Sequence, residues 1–126
     1  MDRTPILLIG ETPGLADAVA ELLEGEGLRT HCVRSSRDAL TEQSQARDRN
    51  PPLIIVVSNS FHSEATARWQ RGELRSQGLV LVGTRDPFLR TGGGLHVISL
   101  PLVPDRLVAL VRALAGQPSA GPRVEA

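Results

Sequence analysis

The stretch 97-VISLPLVPDRLVALVRALAG-116 holds a strand, a proline break and a helix within twenty residues. A short apolar run ends at Leu100–Pro101, and a second proline, Pro104, follows three residues later. Beyond it, Leu107, Leu110, Val111 and Leu114 recur at helical spacing, the stripe that one face of a helix buries. Pro104 falls in the first turn, where its missing N–H is no loss. Asp105 beside it and Arg112 in the last turn follow the charge order that the helix dipole favours. A buried strand feeding an amphipathic helix is one unit of an alternating α/β chain.

The same unit recurs upstream. "PILLIG" (Pro5–Gly10) is an apolar run suited to a strand covered on both faces. Thr12 and Pro13 then read as an N-cap and first helical position, and Leu15, Val19, Leu22 and Leu23 as a buried stripe ending near Gly25 or Gly27. "LRTHCVRSS" (Leu28–Ser36) alternates more and reads as a second strand near an edge. A weaker helix starts near Ser36 and runs out in the polar "QSQARDRN". "PLIIVVSNS" (Pro52–Ser60) is the clearest buried strand. The segment from Ser63 to about Gln77 is expected to be helical, with Ala65, Trp69 and Leu74 inward and Arg68, Arg71 and Arg75 along another side. "GLVLVGT" and "LHVISL" supply the fourth and fifth strands. Between them "RDPFLRTGGG" makes a poor helix, because Pro87 and three glycines interrupt it. The expected architecture is a five-stranded, mostly parallel sheet with right-handed crossovers and helices on both faces.

The chain of 126 residues suits one compact domain, expected over 1–116, with residues 117–126 a flexible tail or the start of a linker. Its 14 basic and 14 acidic side chains cancel, so no general field favours nucleic acid or an anionic membrane. All the basic residues are arginine, which excludes any step needing a lysine amine. Cys32 is the only cysteine, so neither an intrachain disulfide nor a cysteine metal cluster is available. No signal peptide or transmembrane run is apparent, and the expected location is cytoplasmic.

In such sheets chemistry collects at the carboxyl ends of the strands. Here those ends carry Gly10, Glu11 and Thr12, then Val57, Ser58 and Asn59, then Gly83, Thr84 and Arg85, then Ser99, Leu100 and Pro101. Strand by strand, residues 4–115 resemble the receiver domain of two-component response regulators, most specifically in "ILLIGETPGLADAVAELLEGEGLRT" and "VISLPLVPDRLVALVRAL". The resemblance implies a flavodoxin-like sandwich with strand order 2-1-3-4-5. The fourth helix would be shortened or missing, because Gly83 to Leu100 is short for the family. It also implies a cis Leu100–Pro101 bond.

The same resemblance places an acidic, magnesium-holding pair at Gly10 and Glu11 and a phosphate-accepting aspartate at Val57. A small hydroxyl residue falls at Gly83, a lysine at Leu100 and an aromatic switch residue at Val97. Only Glu11 keeps its type. A valine offers no nucleophile for phosphoryl transfer, and Ser58 points to the other face of the strand. Glu11 alone is a poor magnesium site. The sequence therefore implies a degenerate pseudo-receiver that is not phosphorylated at this position and binds no metal or cofactor.

Other features carry less. Gly92–Gly94 lack a spaced phosphate-binding motif and read as a flexible loop. His31, His62 and His96 have no ligand-like spacing, and Cys32 reads as a small core residue. Arg68, Trp69, Arg71 and Arg75 form a candidate docking patch for an acidic surface or a phosphate group. Glu11, Ser58, Asn59, Thr84 and Arg85 form a candidate small-ligand crevice. No nucleophile–base–orienter set supports an enzyme. The expected function is contact with a protein partner or with a second copy in a two-component-type pathway, with no direct binding of nucleic acid or membrane. A ligand sensor built on the crevice is the alternative.

Overall fold

The computed structural model describes residues 6–45, 53–59, 63–83 and 92–115. In chain order it contains β1 (Ile6–Gly10), α1 (Pro13–Gly25), β2 (Thr30–Val33), α2 (Ser36–Gln45), β3 (Leu53–Ser58), α3 (Glu64–Gln70), β4 (Gly78–Gly83), β5 (Leu95–Ser99) and α4 (Pro104–Ala115). The five strands form one parallel sheet in the order β2-β1-β3-β4-β5. This is the flavodoxin-like arrangement expected from the sequence. Among the described residues, no helix is long and apolar enough to cross a membrane.

Central strands β1, β3 and β4 are buried at every position, which is why they read as unbroken apolar runs. Alternate residues serve opposite faces. On one side Ile6, Leu8, Leu53, Ile55, Val57, Val80 and Val82 pack under Ala16, Val19 and Leu23 of α1 and Leu107 and Val111 of α4. On the other, Leu7, Ile9, Ile54, Val56, Leu79, Leu81 and Leu95 pack under Ala39 of α2 and Ala65 of α3, with Trp69 partly buried against them. The Leu107–Val111 stripe is as expected, with Leu110 and Leu114 only partly buried. In α1, Ala16 joins Val19 and Leu23 as the fully packed face, while Leu15 and Leu22 flank it.

The second layer is keyed by polar groups as well. The Ser36 hydroxyl, 1% exposed, donates to Glu64 Oε1 at 2.9 Å and joins the starts of α2 and α3. One turn pair later, Gln43 is 5% exposed. Its Nε2 donates to the Arg75 carbonyl at 2.9 Å, and its Oε1 accepts from the Arg75 amide at 2.9 Å. The Arg75 guanidinium returns a bond to the Gln43 carbonyl at 3.2 Å. Buried amides are stable only when satisfied in this way, and the reciprocal pairing fixes α2 against the segment after α3.

Four expectations are corrected. First, α3 stops at Gln70 instead of near Gln77. Gly72, at φ +81°, turns the chain where no side chain is comfortable, so Arg71 and Arg75 are not on the helix. Leu74 is still buried, but from the following loop.

Second, Thr12 stands at the N-cap of α1 yet makes no side-chain cap; its hydroxyl accepts from the Asn59 amide at 2.8 Å. Third, Cys32 is exposed, because β2 is an edge strand and α1 does not cover its outer part. Partial burial of the thiol still raises its pKa, with Glu24 and Asp17 adding to the rise and a bond with Thr30 opposing it.

Fourth, Gly92–Gly94 form a defined reversal and not a loose loop. Gly92 and Leu95 exchange both backbone bonds, at 3.1 and 3.0 Å, around Gly93 (φ +60°) and Gly94 (φ +94°). Two positive φ values inside a doubly bonded pair are the signature of a type I′ turn. Thr84 and Arg85, the rest of the 84–91 segment, His62 and the 117–126 tail lie outside the described residues.

Candidate functional site

Strand register brings the expected crest positions together. Gly10 is paired with Val57, Val57 with Val82, Ser58 with Gly83, and Gly83 with Ser99. The Leu100 amide reaches the Gly83 carbonyl at 3.3 Å, and the Leu100–Pro101 peptide is cis. Gly10, Glu11, Val57, Gly83 and Leu100 thus line one end of the sheet. This is the end of the sheet at which the resemblance expects a receiver-type pocket.

What fills that place is apolar. Val57 is 0% exposed and belongs to the core under α1 and α4, and Leu100 is partly buried against the same cluster. Ser58 has the parity of Ile54 and Val56 and is buried, so its hydroxyl is not a stand-in for the missing carboxylate.

Both glycines of the set are sterically required. A Cβ on Gly10 would lie 2.6 Å from the Cβ of Ala16, the first packed residue of α1. At Gly83 the crowding is backbone: an added Cβ would overlap the Ser58 carbonyl oxygen and lie 2.8 Å from its carbon. At both positions the surroundings leave no room for a side chain.

The polar groups that remain are engaged in holding loops. Glu11 Oε2 accepts from the Ala65 amide at 3.1 Å, while Ser63 Oγ accepts from the Thr66 amide at 3.1 Å. Between them they satisfy two of the first free amides of α3. The Thr12 amide donates to the Val57 carbonyl at 3.1 Å, which lashes the β1–α1 loop over the end of β3. Of the candidate ligand crevice, Glu11 is thus bonded within the chain, Ser58 is buried and Asn59 is tied through its amide to Thr12. Among the described residues no group of three or more His, Cys, Asp or Glu is placed to hold a metal ion.

The candidate docking patch is likewise internally paired. Arg68 Nη1 meets Glu73 Oε1 at 3.0 Å, and its Nη2 lies 3.6 Å from Glu64 Oε2. Arg71 Nε donates to Glu73 Oε2 at 2.7 Å. That bond holds the Glu73 carboxyl below the usual carboxylate range and raises the Arg71 guanidinium. Trp69 Nε1 donates to the Ser76 hydroxyl at 3.0 Å. The histidines do not converge: His31 pairs with Glu42 at 2.6 Å across β2 and α2, and His96 stands on β5 at the far edge of the sheet. Sequence reasoning missed Gln43, Glu64 and Glu73 as partners. Only the spacing of Ser36, Ala39 and Gln43 on one helix face signalled the first.

Neither a family model nor a curated protein matches this sequence. Solved structures do. A signal receiver domain of a histidine kinase from Syntrophus aciditrophicus is 26% identical, with 90% of each chain covered and a TM-score of 0.67. A response-regulator receiver domain from Bacillus halodurans is 15% identical, covering 89% of this chain and 97% of its own, also at 0.67. The pseudo-receiver domain of CikA is 19% identical, covering 88% of this chain and 96% of its own, at 0.62. The chain has the fold of response-regulator receiver domains, and pseudo-receivers are among the structures it resembles.

Proposed function

We propose that this chain is a receiver-like signalling module that is not phosphorylated at the Val57 position. It acts through phosphorylation-independent contact with a protein partner or a second copy, in a two-component-type pathway. One observation carries the reading. Where a receiver needs an aspartate and a lysine, Val57 and Leu100 pack into one apolar cluster. Phosphoryl transfer is catalysed by positioned charge, and Val57 and Leu100 supply none. Glu11 is bonded to the Ala65 amide at the α3 terminus, which supports the same reading.

Size-exclusion light scattering over a wide concentration range, with and without magnesium and beryllofluoride, tests this. The expected molar mass depends on concentration or not at all, and is the same with both reagents. A mass that responds to beryllofluoride would mean that the crest senses a phosphoryl mimic, and the reading would fall.

A further inference from the structure

The two edges of the sheet are finished differently. At β5, the outward backbone groups of Leu95 are taken by the Gly92 turn. At β2, the Ile6 amide bonds the Arg29 carbonyl, so Arg29 and His31 face inward along the ladder and Thr30 and Cys32 face out. No backbone bond reaches Thr30 or Cys32 on that outer side among the described residues. His31 and Cys32 are exposed.

Arginines stand at both ends of this open edge. Arg29 precedes β2, Arg34 follows it, and Arg37 stands in the first turn of α2, where a cation opposes the helix dipole. Among the described residues, none of the three has an ion-pair partner. By contrast, Arg68, Arg71 and Arg112 are all paired. On the α1 side of the strand, Glu24 Oε2 accepts from the Thr30 hydroxyl at 3.0 Å, and Glu24 and Asp17 both add to the rise of the Cys32 thiol.

We propose that the free edge of β2 docks an extended protein segment by strand addition. That segment is neutral in its centre and carries carboxylates near both ends. The inference rests on the reading of this chain as a protein-contact module. Thr30 and Cys32 supply main-chain donors and acceptors, and Arg29 and Arg34 set the register by binding carboxylates about five residues, or roughly 17 Å, apart. Glu24 and Asp17 keep negative side chains out of the middle.

A second copy fits poorly. In the antiparallel register that pairs Thr30 with Cys32 of a second copy, Arg29 falls opposite that copy's Val33 and Arg34 opposite its Leu28, so neither arginine meets a carboxylate. A second copy thus offers the two arginines no complementary charge at these positions, whereas an acidic segment does.

The probe is a synthetic ten-residue peptide, capped at both termini, with a Val/Thr centre and glutamates five residues apart. Amide exchange read by NMR should show Thr30 and Cys32 becoming protected as the peptide saturates. Affinity should fall at least fivefold in the Arg29→Ala, Arg34→Ala double variant, and equally when lysines replace the peptide's glutamates. Three results would overturn the inference: no protection at Thr30 and Cys32, equal binding of the lysine peptide, or protection of both amides in the double variant without peptide. The last would give the edge to a second copy. Each leaves the beryllofluoride experiment untouched, so loss of the β2 site and loss of the receiver-like reading are separate outcomes.

Discussion

The Cα of Gly10 faces Ala16 so closely that a Cβ added to it would stand 2.6 Å from the alanine Cβ. Carbon atoms in contact sit near 3.5–4.0 Å, so one of the two backbones must move before any side chain fits. Gly10→Asp should therefore destabilise the fold by about 1–3 kcal/mol, read by urea unfolding. The loss should couple to Ala16: the Gly10→Asp, Ala16→Gly double variant should be more stable than the sum of its parts. Simple additivity would show that the crowding is relieved elsewhere.

Val57→Asp restores the residue type of a receiver but sets a carboxylate into a position with 0% exposure. A loss of ~3 kcal/mol at neutral pH is expected, shrinking in acid as the buried carboxyl takes up a proton. Incubation with acetyl phosphate should leave the intact mass unchanged. A gain of one phosphoryl group would show that a single carboxylate rebuilds the pocket.

Glu11 acts on the α3 terminus through the Ala65 amide. Removing that acceptor by Glu11→Ala should cost about 1 kcal/mol, with Glu11→Gln losing less because an amide oxygen still accepts. Magnesium should stabilise none of the three proteins in a thermal melt. A magnesium-dependent rise confined to the parent chain would restore the metal role to Glu11.

Gln43 both gives to and takes from the backbone of Arg75. Gln43→Ala leaves both groups without these partners and should destabilise by about 1–3 kcal/mol. Gln43→Glu keeps the acceptor but loses the donor and should fall between. Faster amide exchange at Arg75 in both variants is the local readout, and unchanged exchange would remove the clamp.

Arg71 holds the Glu73 carboxyl below its ordinary range. A depressed carboxyl contributes stability that is complete above its unfolded value of about 4.3 and is lost as pH falls through the lower folded value. The contribution is small and screened by salt, since the pair is exposed. The Tm difference between the parent and Glu73→Gln should shrink between pH 7 and about pH 3. A difference constant over that range would sever the link to the carboxylate.

Much of the fold could be read from the chain because burial on both faces leaves an unbroken apolar run. β1, β3 and β4 announced themselves in that way, and with them the crest positions Val57 and Gly83. What escaped depends on the third dimension. Arginine periodicity runs on past Gln70, but the positive φ of Gly72 ends the helix. Apolar alternation in β2 cannot tell how far α1 overhangs an edge strand, and Cys32 was misplaced for that reason. The Gln43–Arg75 clamp joins residues 32 apart in sequence, a distance no local pattern spans. Glycines at 92–94 suggest looseness by composition, whereas two consecutive positive φ values make them a stiff reversal.

The closure around Gly10 and Gly83 also bears on history. Each now lies against a neighbour that occupies the room a side chain would need: Ala16 for one, the Ser58 backbone for the other. A substitution that placed a side chain at either glycine would meet a penalty before conferring any benefit, unless another change had first opened the space. Selection works one viable step at a time, so the packing acts as a ratchet. Side chains at these two positions can be reached only after their neighbours have changed.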